Sequence, residues 1–136
     1  PAGVGGVSSL RHVLCVDDDD DILQVVSLAL RSLGGLEVTT ASGGHEALDV
    51  LGAAPVDLVL LDVMMPGMDG LETARAIRAD ARWDGVPIVL MTARVQLYES
   101  ARRSVPGVDA VISKPFDPVA LPARLAAIWA ERRTKS

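Results

Sequence analysis

The sequence is short of several features that would place it in common protein classes. It has one cysteine, Cys15, in 136 residues, so no disulfide framework can form and a cytoplasmic, reducing compartment is the natural setting. Cys15 lies in an apolar run and reads as a buried, inert thiol. Positive charge is not in excess: 13 Lys and Arg against 18 Asp and Glu give a net charge of -5, which argues against direct nucleic-acid binding. No apolar run approaches the roughly 18 residues of a membrane-crossing helix, so no membrane insertion is expected. Residues 1–9 lack the charged and apolar regions of a signal peptide. His12 and His45 stand alone, outside any metal-binding or phosphohistidine pattern, at expected surface positions. The chain opens at Pro1 rather than Met, which reads as a processed chain or a piece of something longer.

What is present is the composition of one globular domain, 49% apolar and 23% charged. Short apolar runs of strand length occur at Val13–Val16, Leu36–Thr40, Val56–Leu61, Val86–Met91 and Val108–Ile112. Between them apolar residues recur at helical spacing, as in Ile22, Val25, Val26, Ala29, Leu30 and Leu33. Four of the five helical segments are clear. The segment Arg94–Ser104 carries only Leu97, Ala101 and Val105 at this spacing and is the weakest. Five β-α units predict an α/β fold, with a doubly wound parallel five-stranded sheet between two helical layers. The runs at 13–16, 58–61 and 88–91 are almost wholly apolar, as central strands should be, whereas Leu36–Thr40 alternates and carries Glu37. The strand order that follows is 2-1-3-4-5, a flavodoxin-like three-layer sandwich with its site at the carboxyl ends of strands 1 and 3. The domain is expected over 12–130, with a disordered or extended segment at 1–11 and a frayed polar tail at 131–136.

The first strand runs into five aspartates, Asp17 to Asp21, and the third is followed by Asp62. In this strand order Asp17, Asp18 and Asp62 converge at one rim. At 4 Å each carboxylate pair repels by about 1 to 4 kcal/mol, which a hard divalent cation relieves; Mg²⁺, or Mn²⁺, suits an all-oxygen set. Aspartates after a strand also cap helices, a role suited to one or more of Asp19, Asp20 and Asp21. Thr92 at the end of the fourth strand and Lys114 at the end of the fifth add a hydroxyl donor and an ammonium to the same rim. A carboxylate nucleophile, a divalent cation, an ammonium and a hydroxyl form a set suited to phosphoryl transfer.

These residues carry a family resemblance. Val-Leu-Cys-Val-Asp-Asp at 13–18, Leu-Asp-Val-Met-Met-Pro-Gly-Met-Asp-Gly at 61–70, Val-Leu-Met-Thr-Ala at 89–93 and Ser-Lys-Pro-Phe at 113–116 resemble the motifs of bacterial two-component receiver domains. The resemblance covers residues 12 to 130. It implies that Asp62 is the phosphoacceptor for a histidine kinase or histidine phosphotransfer protein. It implies further that Asp17, Asp18, Asp62 and the Met64 backbone carbonyl hold Mg²⁺, and that Thr92 and Lys114 engage the phosphoryl group. The Lys114–Pro115 bond is expected to be cis. Gly67 and Gly70 read as turn glycines, and Asp69 with Glu72 as a helix cap.

The family readout passes through the surface of the fourth helix, fifth strand and fifth helix to a downstream protein or output domain. Here the chain departs from its relatives, because the usual aromatic of the fifth strand is Val111. Met64 and Arg94 occupy the positions that tune phosphoryl lifetime, and Met64 cannot orient an attacking water, so slow self-hydrolysis is expected. The chain is expected to catalyse its own phosphorylation and slow dephosphorylation, with no turnover on an external substrate. An alternative is a pseudo-receiver, an interaction module that takes no phosphate. A flavodoxin-like cofactor binder is disfavoured by five aspartates where a phosphate loop belongs, and a phosphohydrolase by Met64 where a second acid is needed.

Overall fold

A computed structural model describes residues 10–101 and 107–135. Five parallel strands, β1 (His12–Val16), β2 (Glu37–Ala41), β3 (Leu58–Asp62), β4 (Ile88–Thr92) and β5 (Ala110–Ser113), form one sheet in the order β2-β1-β3-β4-β5. The connecting helices are α1 (Asp20–Ser32), α2 (Gly44–Ala53), α3 (Gly70–Arg78), α4 (Val95–Ala101) and α5 (Leu121–Lys135), with a 3-10 turn at Ala81–Trp83. This is the flavodoxin-like α/β architecture that the alternating pattern predicts.

Side chains alternate between the two faces of the sheet. Val13 and Cys15 of β1 pack with Leu23, Val26 and Leu30 of α1 and Leu125 and Trp129 of α5. Leu14 and Val16 pack with Ala47 and Leu51 of α2 and Ala74 and Ile77 of α3. β3 and β4 are buried along their full length, whereas β2 exposes alternate residues, as an edge strand with one solvated face does.

Strands β2 to β5 begin later than the apolar runs suggest, and for β3 and β4 the causes are local. Pro87 has no N–H to give to a ladder, so β4 starts at Ile88. Asp57 turns its side chain to accept from the backbone N–H groups of Arg11 and His12, and β3 starts just after it. At the other end β3 extends to include Asp62 itself.

Two expectations need correction. The polar run at 131–136 is not a frayed tail as far as Lys135: α5 continues through it, Arg132 pairs with Asp109 at 2.7 Å, and Arg133 lies over the Trp129 ring. His12 is not a surface residue. It is half-buried, with Nδ1 2.8 Å from the Pro55 carbonyl and Nε2 2.7 Å from the Thr39 hydroxyl. At the amino terminus residues 1–9 lie outside the described residues, and Leu10 packs against the core. The segment 102–106, which includes the end of the expected fourth helix and Pro106, also lies outside them.

Candidate functional site

The parallel sheet sets the carboxyl ends of β1, β3, β4 and β5 along one rim. The five aspartates that leave β1 divide the work there. Asp17 is fully buried; its Oδ1 accepts the Asp19 N–H at 2.9 Å and its Oδ2 accepts from Lys114 Nζ at 2.9 Å. Asp18 is exposed beside it. Asp19 caps α1, accepting from the N–H groups of Asp21 and Ile22, and Asp20 and Asp21 lie in the first turn, where the helix dipole favours acids.

Asp62 ends β3 at 3% exposure, and its Oδ1 lies 3.1 Å from Lys114 Nζ. Carboxylate oxygens of Asp17, Asp18 and Asp62 all lie within 4.8 Å of one another. Burial, and then the charge of Asp17, push the Asp62 carboxyl above its ordinary pKa, against the pull of Lys114. Burial works to depress the Lys114 ammonium, but hydrogen bonds to Asp17 and Asp62 outweigh it and hold its pKa above the ordinary value. Lys114 thus pairs with two of the three convergent carboxylates. The excess negative charge and the all-oxygen donor set fit a small hard divalent ion.

Thr92 ends β4 at 3% exposure, and its Oγ1 accepts the Arg94 N–H at 3.0 Å. With an amide already bonded to that oxygen, the hydroxyl proton is the group left to donate. Arg94 is exposed at the entry to α4. Lys114 follows β5 and is placed by its own N–H bond to the Thr92 carbonyl at 2.9 Å and by a cis peptide bond to Pro115. Met64, on the loop after Asp62, is 74% exposed. Val111 is buried on the α2–α3 side of the sheet, in one cluster with Val95 and Tyr98. The structure thus brings Asp17, Asp18, Asp62 and Lys114 into one constellation, sets Thr92 on the neighbouring strand end, and leaves Met64 and Arg94 at its open edge.

The loop from β3 to α3 closes by a route the sequence does not signal. Gly67 has the positive φ, 73°, of a turn glycine. Gly70 serves a different purpose: its N–H donates to the Val63 carbonyl at 2.9 Å, and a Cβ there would fall 2.3 Å from the Asp62 carbonyl oxygen. Asp69 and Glu72 form the expected reciprocal cap of α3. Trp83 is half-buried in the 3-10 turn with the Arg82 guanidinium over its ring.

Comparison with known proteins agrees with this arrangement. The model of the response regulator receiver domain matches residues 13–126, and the chain belongs to that family. It is 37% identical over 117 residues to the DNA-binding response regulator MtrA of Mycolicibacterium smegmatis, an alignment covering 86% of this chain and 50% of that protein. The chain spans about half the length of the curated relatives it matches. Among solved structures, the chemotaxis response regulator CheY4 of Vibrio cholerae superposes with a TM-score of 0.80 at 33% identity, covering 88% of this chain and 99% of that one. The response regulator TrrA of Thermotoga maritima, solved in complex with Mg(2+)-BeF, superposes with a TM-score of 0.75 at 32% identity over 88% of this chain and 99% of its own. The chain is therefore a receiver domain of a two-component response regulator.

Proposed function

We propose that this receiver domain takes a phosphoryl group on Asp62 from a histidine kinase or histidine phosphotransfer protein in a Mg²⁺-dependent, cytoplasmic reaction. The observation that carries the reading is the convergence of Asp17, Asp18 and Asp62 oxygens within 4.8 Å around a buried acceptor already bonded to Lys114. An Asp62 oxygen attacks phosphorus, the P–O bond forms as the P–N bond of a phosphohistidine breaks, and the electron pair leaves with the imidazole nitrogen. Asp17, Asp18, Asp62 and the Met64 carbonyl would hold the ion, Mg²⁺ or Mn²⁺, whose part is to offset charge on the phosphoryl oxygens. Lys114 supplies fixed charge to the same oxygens, and the Thr92 hydroxyl donates to one of them.

The product adds roughly -1.5 to -2 charge at the rim. Lys114 and Thr92 are drawn to it, and they lead directly into β5 and α4. The α4-β5-α5 surface is the output face, read by a downstream protein or output domain. Met64, exposed two residues after the acceptor, has no group to position water, and Arg94 is exposed two residues after Thr92. The acyl phosphate is accordingly slow to hydrolyse, with no turnover on an external substrate. A pseudo-receiver reading, in which the domain binds partners without phosphate, draws on Val111, which puts a small aliphatic where relatives carry an aromatic.

Incubation with acetyl phosphate and Mg²⁺, followed by intact mass, tests the proposal. One phosphate adduct that needs the metal and is absent in Asp62→Asn is expected. A chain that binds Mg²⁺ but gains no mass from either acetyl phosphate or a phosphorylated histidine donor would favour the pseudo-receiver.

A further inference from the structure

The amino end of the sheet, opposite the site, holds a second charged cluster that the phosphoacceptor reading leaves unused. Arg78, the last residue of α3, commits its whole guanidinium there. Nε donates to the Gly107 carbonyl at 3.0 Å, and Nη1 to the Trp83 carbonyl at 2.7 Å. Nη2 reaches the carbonyls of Val86 and Gly107 at 2.7 and 2.8 Å and Asp109 Oδ2 at 3.3 Å. Asp109 in turn accepts the N–H of Ile88, the first residue of β4, at 2.9 Å, and pairs with Arg132 of α5. Gly107 takes a φ of 90°, and a Cβ there would run into the Arg78 side chain. The fit between Arg78 and the chain leading into β5 is thus close on both sides.

The other end of the same helix bears on the phosphoacceptor. Gly70, the first residue of α3, is pressed against the backbone of Asp62: a Cβ would meet its carbonyl oxygen at 2.3 Å and Val63 Cα at 2.7 Å. The nine residues of α3 span about 13 Å and are capped at Asp69 and Glu72, so the helix moves as one stiff piece. Any displacement of the Asp62–Val63 backbone on loading bears directly on Gly70, which is fastened to it. Arg78 transmits any such tilt to Gly107 and Asp109. Val111, buried in β5, offers no large side chain to swing between core and surface.

We propose that α3 is a strut that carries the state of Asp62 to the start of β5, with Gly70 as its near contact and Arg78 as the coupling residue at its far end. The inference rests on the phosphoacceptor reading and adds to it a route that bypasses Thr92. Arg78 touches no reacting atom, so its substitution leaves the chemistry intact and removes the response.

The test uses the full chain, labelled with ¹⁵N, with acetyl phosphate and Mg²⁺ as the loading reagents. Intact mass reports the adduct, the Arg78 Nε–H resonance reports the far end of the strut, and amide hydrogen exchange at Gly107 and at 110–113 reports β5. The Nε–H resonance is expected to shift on loading in the unmodified protein. In Arg78→Lys, whose ammonium cannot reach three carbonyls at once, the adduct is expected within twofold of the unmodified level, and the loading-dependent exchange change is expected to fall at least fivefold. Arg132→Gln cuts the same cluster on the α5 side alone and is expected to keep the response. An adduct with an unmoved Arg78 resonance overturns the proposal, as does full response in Arg78→Lys or equal loss in Arg132→Gln. If Arg78→Lys does not fold, the resonance in the unmodified chain decides. No adduct in the unmodified chain overturns the phosphoacceptor reading and removes the strut with it.

Discussion

At the carboxyl ends of the strands, Asp17 and Asp62 share the Lys114 ammonium, with Asp18 beside them; at the amino ends of β4 and β5, Asp109 lies between the guanidiniums of Arg78 and Arg132. The two clusters occupy opposite ends of one sheet. At the amino end the donors are spent on backbone carbonyls and on Asp109, and the arrangement ties α3, the 3-10 turn, β4, β5 and α5 together. At the carboxyl rim the acids outnumber their cation, and the acceptor's pKa is pushed up by burial and by Asp17. One end is built closed, and the other retains an electrostatic imbalance that an added ion or anion resolves. Stability and responsiveness are thus divided along the strand axis.

The comparison is broken most severely at the closed end. Asp109→Ala removes the carboxylate that Arg78, Arg132 and the Ile88 N–H share, and is expected to cost about 3 kcal/mol in urea unfolding, as the loss of charge-assisted hydrogen bonds at a half-buried site does. The rim responds instead to what is added. Mg²⁺ at about a hundred times its dissociation constant is expected to raise the unfolding free energy by about 2.7 kcal/mol. Asp18→Asn is expected to weaken that effect while leaving metal-free stability almost unchanged, because Asp18 is exposed. Calorimetric melts with and without the ion distinguish the two ends.

A smaller loss is expected at the joint between them. Asp69→Ala removes the side-chain acceptor for the Glu72 N–H and half of the α3 cap, at a cost of about 1 kcal/mol in the same urea titration.

The smallest effect carries the opposite sign. Folding raises the Asp62 pKa, so the folded state holds that proton more tightly than the unfolded chain, and stability falls as pH rises through the interval between the two values. At neutral pH the ionised Asp62 is a burden on the metal-free fold. Asp62→Asn is therefore expected to melt at a higher temperature near pH 7, and its advantage is expected to vanish below about pH 4, where carboxyls are protonated in both states. A lower melting temperature for Asp62→Asn at neutral pH would place the Lys114 pairing above burial in the balance.

The difference between the two ends also explains what was legible in the sequence. The strands, their order and the rim were readable because their signals are local: unbroken apolar runs, an acidic tract directly after one run, and Thr92 and Lys114 directly after two others. The convergence of Asp18 with Asp62 followed from topology alone. The amino-end cluster had no such signal. Arg78, Asp109 and Arg132 stand in three separate stretches of sequence, and an ion pair across 23 or 31 positions leaves no periodic mark. That is why the stretch after 130 looked like a fraying tail and proved to be the last turn of α5. Gly70 was misleading for a related reason: a glycine required by a backbone in close approach has the same letter as one required by a positive φ, and only the structure separates Gly70 from Gly67. His12 looked solvent-facing because its partners, Pro55 and Thr39, are remote in sequence.

Cys15 lies in β1 with no exposed surface, and burial, followed by the charge of Asp17, raises the pKa of its thiol. With Sγ covered by α1 and α5 and its proton held, a thiol-labelling reagent finds it only when that helical layer opens from β1. The protein therefore carries its own opening clock: with one thiol in the sequence, the labelling rate counts how often the core between β1 and its helices opens.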